Sequence, residues 1–422
     1  MKKIQSWVFA AAAFLLLCPL LKAGTLQVSG YLKNFSVFFS MPELLVGEDG
    51  LSSAGMGAVT NRFRMRVSAE LWDDVEFSLA YDLSSRVQDP ALFQETLFFP
   101  GTVSPGYRVA DFRDRIYPSP GKPAGSFGLF HNLDRLVMMK RFSRADLYVG
   151  RQAVAWGSAR IINPTDIIAP FSFNQLDTED RRGVDAVRVR IPLGMMDELD
   201  LGVVAGEDFK METSAAFLRW KFYVWKTDIS LLSLAFRRHL MMGFNLARAL
   251  GGAGVWYEAA LVFPQVFKKD PVMEEDRYFR MSAGLDYNFT SRLYGFAEYH
   301  FCSAGSNQPE RYFDLFSSSA FQDGAVYLLG KHYIGAGATY QVTPLLPASV
   351  LLLCNAGDPS LIVAPQLEYN IAPDIYLSAG GYLGFGSGAA SAAVTEQRET
   401  VMMQSEFGSY PDMVFTSFRI YF

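Results

Sequence analysis

Cysteine is scarce in this sequence. Its 422 residues include three cysteines, Cys18, Cys302 and Cys354. Cysteines so few and so far apart cannot form a disulfide framework, and none shows the spacing of a zinc, haem or iron–sulfur site. We therefore expect no cofactor and no structural metal.

Long apolar runs are also scarce, apart from one at the start. A transmembrane helix needs roughly 20 consecutive apolar residues. No segment after residue 23 reaches that length, although 50% of the chain is hydrophobic and 14% is aromatic. A helical membrane protein is excluded.

An excess of positive charge is missing. The chain has 38 basic and 43 acidic residues, and without Lys2, Lys3 and Lys22 the balance is 35 to 43, a net charge of −8. Nucleic-acid binders usually carry a basic surface that neutralises phosphates. We expect no nucleic-acid partner.

Catalytic motifs are missing as well. The histidines at 131, 239, 300 and 332 lie in no recognisable arrangement with a nucleophile. Glu298 and His300 could share a face as metal ligands, but one such pair is more often part of a hydrated wall. The sequence predicts neither an enzyme nor a metal site.

The first residues, in contrast, carry the pattern of a secretory signal peptide. Lys2 and Lys3 precede an apolar run over 7–21, and Ala23 and Gly24 are small residues at which a signal peptidase could cut. The run is too short to cross a membrane. We predict a signal peptide over 1–23 and a single domain over 24–422.

Strict alternation of apolar and charged residues marks that domain. In NRFRMRVSAELW, Arg62, Arg64 and Arg66 alternate with Phe63 and Met65, and a period of two places the two sets on opposite faces of a strand. The pattern returns in VEFSLAYDL, GVDAVRVRI, FLRWKFY and RYFRMSAGLDYNF. In a soluble sheet the apolar face would meet a protein core, whereas in an outer-membrane barrel it would meet lipid and the arginines would line a watery lumen.

The connections between strands favour the barrel. Turns such as Asp73–Asp74 and Thr290–Ser291 are short, whereas connections near 85–130, 155–182, 303–329 and 387–403 are long. Short turns on one rim and long loops on the other are typical of outer-membrane barrels, and a soluble sandwich has no reason to segregate its loops in this way.

The sequence predicts an all-β fold, a transmembrane antiparallel up-and-down β-barrel of about 18 strands with short periplasmic turns and long extracellular loops. A closed barrel pairs every backbone group, as hydrocarbon requires. The strands are predicted at 26–39, 60–72, 75–84, 132–142, 146–154, 183–191, 198–206, 214–224, 228–237, 239–248, 253–263, 277–289, 292–302, 330–341, 348–356, 360–371, 374–386 and 404–422.

The chain ends in DMVFTSFRIYF, with Phe418, Ile420 and Phe422 on one face. This end resembles the terminal strand by which the barrel assembly machinery recognises Gram-negative outer-membrane proteins. The segments VSGYLKNFS, LYVGRQAVAWG, FAEYHF and HYIGAGATYQVTPLL are similar to a loosely defined group of porin-like barrels that includes alginate-export-type proteins. The resemblance implies an outer-membrane location, with outer-membrane lipid and the assembly machinery as partners.

Charged residues on the predicted inner faces are candidates for lining the pore, because a charge on the lipid face would cost about 2–4 kcal/mol near the midplane. They are Arg62, Arg64, Arg66, Glu76, Asp82, Arg188, Arg190, Arg219, Lys221, Glu258, Arg280, Asp286 and Glu298.

The connection over 156–182 is the candidate for a loop that folds inward and narrows the lumen. It carries Asp166, Asp177, Glu179 and Asp180. Acidic loop and basic wall could create a transverse field that selects solutes by size and sign. Alternatively, the same charges brace the loop by salt bridges, and the sequence does not separate the two readings.

Three functions are compatible with such a barrel. We expect an outer-membrane channel for passive diffusion of small hydrophilic or anionic solutes, since a barrel of about 18 strands is wide enough for water. The alternatives are a conduit for an anionic polysaccharide or other polymer, and a sheath around a partner such as a multihaem cytochrome. Both a monomer and a trimer remain open.

Overall fold

The computed structural model describes residues 25–40, 55–93, 106–112, 114–119, 121–267, 275–395 and 398–422. The predicted signal peptide lies outside the described residues. The strands are β1 (Thr25–Ser40), β2 (Gly55–Trp72), β3 (Val75–Gln88), β4 (Arg115–Tyr117), β5 (Phe127–Arg141), β6 (Asp146–Gln152), β7 (Val184–Pro192), β8 (Glu198–Ala205), β9 (Ala215–Val224), β10 (Thr227–Phe236), β11 (His239–Leu250), β12 (Ala253–Phe263), β13 (Tyr278–Asn288), β14 (Leu293–Cys302), β15 (His332–Thr343), β16 (Leu346–Asn355), β17 (Ser360–Ala372), β18 (Ile375–Phe385), β19 (Ala389–Thr395), β20 (Arg398–Met403) and β21 (Asp412–Tyr421).

All strands except β4, β19 and β20 form one closed antiparallel barrel of 18 strands. Each pairs with the next along the chain, and β1 pairs with both β2 and β21, so that the two ends of the sheet meet. The predicted fold class and strand number are confirmed. Strand β4 adds to the rim beside β5, while β19 and β20 pair with each other.

Among the residues that the structure describes, helical structure is confined to short turns. These are Pro90–Phe93, Glu207–Phe209, Met211–Thr213, Pro309–Arg311, Tyr312–Leu315, Ser319–Gln322 and Phe407–Ser409. Nowhere in the described ranges is a helix long and apolar enough to cross a bilayer.

Each predicted strand corresponds to one barrel strand, but several boundaries differ. Strands β2, β3 and β5 are four or five residues longer than predicted at their long-loop ends, because their backbone pairing continues there. The last strand begins at Asp412 instead of 404. Residues before it turn away from the wall and bury Phe407 and Tyr410 inside the protein.

The two faces of the wall differ as the alternation predicts. On β2, Phe63 and Met65 are 40% and 38% exposed on the outer face, while Arg64 on the inner face is 1% exposed. Exposed aromatic residues gather at the rim of short turns, among them Trp72 and Trp225. Aromatic girdles of this kind mark the membrane interface of outer-membrane barrels.

A dry core fills part of the barrel interior. It joins inner-face side chains such as Phe217 and Leu234 to Tyr107, Ile167 and Tyr312 from three different connections. The sequence analysis singled out 156–182 as an inward loop and did not anticipate that 106–112 and 303–330 would also pack inside. Burial of their apolar residues, not hydration, stabilises this part of the interior.

Candidate functional site in the barrel lumen

The connection between β6 and β7, which we call the inner loop (153–183), contacts the wall on two sides. Residues 158–165 lie against β12 and β14, and residues 177–180 lie against β1 and β2. These strand pairs are far apart around the barrel. A segment can reach both only from the inside.

Two wall carboxylates hold the first contact. Glu258 on β12 accepts hydrogen bonds from the backbone N–H groups of Ser158 at 2.9 Å and Thr165 at 2.8 Å. Glu298 on β14 accepts from the N–H of Arg160 at 2.6 Å and of Ile162 at 3.0 Å. Both carboxyl groups are almost fully buried, so these donors replace the hydrogen bonds that water would otherwise make to them.

The same wall also satisfies carbonyl groups of the inner loop. Ser282 donates its hydroxyl to the Ile162 carbonyl at 2.6 Å, and Arg280 donates to the Pro164 carbonyl at 3.2 Å. Asp286 pairs with Arg160 at 2.7 Å. The first contact therefore binds main chain and side chains together.

Ion pairs hold the second contact. Lys33 on β1 lies 2.8 Å from Asp177 and 2.6 Å from Glu179. On β2, Arg62 pairs with Asp177 at 2.8 Å, and Arg66 pairs with Asp180 at 2.8 Å. The acidic loop and basic wall that the sequence predicted are thus in direct contact.

Two hydroxyl groups complete this contact. Tyr31 donates to Asp180 at 3.0 Å and Tyr421 donates to Glu179 at 2.8 Å. Burial opposes ionisation of both carboxyls, but Lys33 and Tyr421 outweigh it at Glu179, and Arg64 and Arg66 outweigh it at Asp180. The pKa of each carboxyl therefore lies below its usual value.

Beneath this contact lies a buried charge cluster. Arg64 bonds Asp82 at 3.1 Å and Asp134 at 2.6 Å, and all three side chains are almost inaccessible. Asp134 also accepts the N–H of Gly183 at 2.9 Å. The cluster thereby fixes the end of the inner loop to β3 and β5.

Within the loop, Asp166 pairs with Arg181. Burial raises the pKa of the Asp166 carboxyl to about 7, despite the nearby guanidinium. Asp166 therefore braces the loop internally and does not contact the wall arginines.

The other residues that the sequence predicted to line the pore lie on the inner face of the wall, away from the inner loop. Arg188 pairs with buried Asp200 at 2.7 Å through its Nε, and Lys221 lies 3.3 Å from Asp228. Arg190 lies 3.9 Å from Glu198. Arg219 stands opposite Asp200, and its Nε has no hydrogen-bond partner among the described residues. Glu76 pairs with Arg141 near the rim of short turns.

Sequence analysis missed several residues of this site. Lys33 and Tyr31 occupy alternate positions of β1 opposite exposed Leu32, so the period of two could have identified them. Asp134 lies at a bulge in β5, where the register of pairing shifts and alternation gives no guide.

A second buried network, which no sequence signal indicated, connects the other inward segments. Glu406 accepts from the Leu329 N–H and the Asn355 amide, both at 2.9 Å, and from Tyr333. Asp358 accepts the Glu406 N–H at 2.7 Å. Burial raises the pKa of Glu406 to about 7. The described residues contain no group of three His, Cys, Asp or Glu side chains that could hold a metal ion.

At the seam, where β1 pairs with β21 and closes the barrel, Phe418 and Phe422 are exposed on the outer face. Phe422 follows β21 and exchanges backbone hydrogen bonds with Gly30, at 2.8 Å and 3.0 Å. Ile420 pairs with Leu32 in the ladder between β1 and β21.

The fold of this closed 18-stranded barrel is similar to that of solved Occ and Opd outer-membrane porins. OccK8 (OprE) of Pseudomonas aeruginosa superposes with a TM-score of 0.55 at 11% identity, covering 95% of this chain and 98% of that one. OccAB2 of Acinetobacter baumannii gives 0.55 at 7% identity, with the same coverage. OccK2 (OpdF) of P. aeruginosa, solved in complex with glucuronate, gives 0.54 at 9% identity, covering 94% and 98%. No protein-family model and no curated protein sequence matches this chain.

Proposed function

We propose that this chain is a channel of the Gram-negative outer membrane through which small hydrophilic solutes, including anions, diffuse passively. One observation carries the proposal. The barrel wall is apolar outside and charged inside, and the inner loop crosses the barrel interior and is bound to the wall on two sides. Glucuronate in OccK2 and vanillate in OpdK are small polar solutes bound by proteins of the same fold, which supports the same size class here.

The inner loop is proposed to be the constriction. A loop that is bound to opposite parts of the wall reduces the open cross-section between them. On this loop and the facing wall, Arg66 and Glu179 lie 3.6 Å apart and their side chains are each 36% exposed. We propose that these partly exposed charges contact the permeating solute, while Arg64, Glu258 and Glu298 hold the loop.

The two alternatives are less well supported. A folded partner such as a cytochrome would need the space that the inner loop and the dry core occupy. A polymer conduit would require an unobstructed path past the same loop. The partners that we propose are outer-membrane lipid and the barrel assembly machinery.

Planar-bilayer recording of the purified chain tests the proposal. Steady ohmic conductance is the expected result. A barrel that inserts but stays closed would contradict a diffusion channel, and current that only an anionic oligosaccharide blocks would favour the polymer conduit.

A further inference from the structure

A cavity of about 340 Å³ lies between residues 173–179 of the inner loop and the wall strands β1, β17, β18 and β21. Small-molecule sites typically occupy about 300–1,000 Å³ and combine apolar walls with a few placed polar groups. The cavity has both kinds of lining.

Aromatic rings form its apolar part. Phe35, Phe173, Tyr382 and Phe415 line it. Tyr382 and Phe415 lie with their ring centroids 6.4 Å apart and their planes inclined by 31°, while Phe173 is fixed by stacking on Tyr410. Rings held in this way offer flat apolar surface to the face of a ligand ring.

Four uncharged polar side chains of the cavity lack hydrogen-bond partners among the described residues. The Gln366 amide and the hydroxyls of Thr178, Tyr382 and Ser417 line the cavity. None of the four makes a side-chain hydrogen bond to any part of the chain that the structure describes. Gln366 and Thr178 are exposed and Ser417 is buried, and donors and acceptors without protein partners are available to a ligand.

The charged groups of the same cavity are already paired. Arg419 bonds Glu368 and, at 3.0 Å, the Ser378 hydroxyl. Asp177 and Glu179 share Lys33. A ligand that carried a net charge would compete with these pairs, whereas a neutral ligand would leave them intact.

We infer that this cavity binds a small, neutral, hydroxyl-rich solute of about the size of a monosaccharide. Its hydroxyls satisfy the four free polar groups, and the apolar face of its ring packs on the aromatic side chains. The inference extends the proposed function by taking this ligand as a solute on its way through the barrel.

Isothermal titration of the purified full chain in detergent tests the site without requiring conduction. The probes are glucose and glucuronate, which share a ring and differ by a carboxylate. We expect glucose to bind and glucuronate to bind more weakly. The double variant Tyr382→Phe, Gln366→Leu should bind glucose about tenfold more weakly, the order expected for one or two lost hydrogen bonds.

Tyr369→Phe is the matched control, because Tyr369 is exposed on the outer face of β17. It should bind glucose like the parent. Equal or tighter binding of glucuronate, no binding of glucose, or an equal loss in the control variant would each overturn the inference.

Conductance of the same samples separates this inference from the proposed function. A barrel that conducts ions but does not bind glucose refutes the site and keeps the channel. A barrel that binds glucose but stays closed in a bilayer refutes the channel and keeps the site.

Discussion

Lys33 places one cation between two carboxylates of the inner loop. Its side chain is 1% exposed, while those of Asp177 and Glu179 are 16% and 36% exposed. Lys33→Met should free this end of the loop and increase single-channel current noise. The cost to stability should be smaller than the roughly 3–5 kcal/mol typical of breaking a fully buried pair, because Asp177 retains Arg62.

Lys221→Met is the control for this change. Lys221 faces the same lumen but its pair with Asp228 is 40% and 48% exposed, and such pairs contribute little. Quiet current in Lys33→Met, or equal noise in both variants, would contradict a role for Lys33 in fixing the loop.

Arg66 and Arg64 lie two residues apart on one face but should behave differently. Arg66 is 36% exposed and Arg64 is 1% exposed. Fixed charge acts on ions within about a Debye length, roughly 10 Å at 0.1 M salt. Arg66→Gln should therefore shift the reversal potential across a KCl gradient toward cation selectivity, most clearly at low salt.

Arg64→Gln should instead reduce the thermal stability of the barrel, by an amount on the order of 3 kcal/mol, because it leaves Asp82 and Asp134 short of a partner. Heat-induced unfolding on gels measures this. Unchanged selectivity in a folded Arg66→Gln variant would remove the electrostatic part of the constriction proposal.

The sequence could predict faces but not partners for such residues. Alternation placed Arg62, Arg64 and Arg66 together on one side of β2, where the structure has them. It could not predict that Glu258 and Glu298 would be buried against backbone N–H groups about a hundred residues away in the chain. Long-range loop packing decides that, and no local pattern encodes it.

At the scale of elements, the inner loop has two bound ends and a bridging part between them. Deleting residues 170–175 should raise single-channel conductance, since it shortens the bridge and removes the packing of Phe173 on Phe407 and Tyr410. Removal of residues 208–211, an exposed turn on the long-loop rim, is the control. Equal conductance in both deletion variants would place the constriction elsewhere, with the long connection before β5 as the next candidate.

Glu406 gives the inward segments a pH dependence. A carboxyl whose pKa is higher in the folded than in the unfolded state stabilises the fold fully only below its unfolded pKa, about 4, and loses that contribution as pH rises through the folded value. With a folded pKa of about 7, Glu406 should lose this stabilising contribution between about pH 4 and pH 7 and should add no further pH dependence above that range. The Leu329 amide, which bonds this carboxyl, should lose up to about tenfold in hydrogen-exchange protection per pH unit between about pH 4 and pH 7, and its protection should level off above pH 7.

Glu406→Gln cannot ionise and should flatten this dependence. Protection factors corrected for the intrinsic effect of pH are the measurement, with the Leu246 amide on β11 as an internal reference. The same slope in parent and variant would assign the effect to another group; Asp166, whose pKa is also raised to about 7, would be examined next.

Strands were predictable from the sequence because each is specified locally by alternation and by the turn that follows it. Even so, the last strand was wrongly predicted to begin at 404, whereas the structure has a helical turn over Phe407–Ser409 and begins β21 at Asp412. The rings of Phe407 and Tyr410 pack against Phe173 of the inner loop. This contact between residues far apart in the sequence overrides the local preference for a strand.

At the scale of the whole molecule, the barrel exists only if its first and last strands meet. β1 and β21 pair from Tyr31 opposite Tyr421 to Ser40 opposite Asp412. A closed sheet leaves no unpaired edge in hydrocarbon. Loss of the pairing at this seam would therefore destabilise the whole barrel and not only one strand.

Phe422 ends the seam, and its removal is the sharpest test of closure. Its backbone N–H and carbonyl both bond Gly30, and its ring stacks on Phe63 with centroids 6.0 Å apart and planes inclined by 19°. A Cβ added at Gly30 would lie 2.7 Å from that ring, so the absence of a side chain at this glycine leaves room for the ring. Deleting Phe422 therefore removes two ladder hydrogen bonds and the outer cover of the seam, and it also removes the aromatic end that resembles the assembly signature. We expect normal secretion with a reduced amount of heat-resistant barrel in the outer-membrane fraction.

Phe422→Ala keeps the backbone bonds and loses the ring, so an intermediate amount should remain. Phe289→Ala, which removes an exposed aromatic ring at the same rim away from the seam, should assemble normally. Wild-type abundance after deletion of Phe422 would show that closure and recognition depend on the rest of β21.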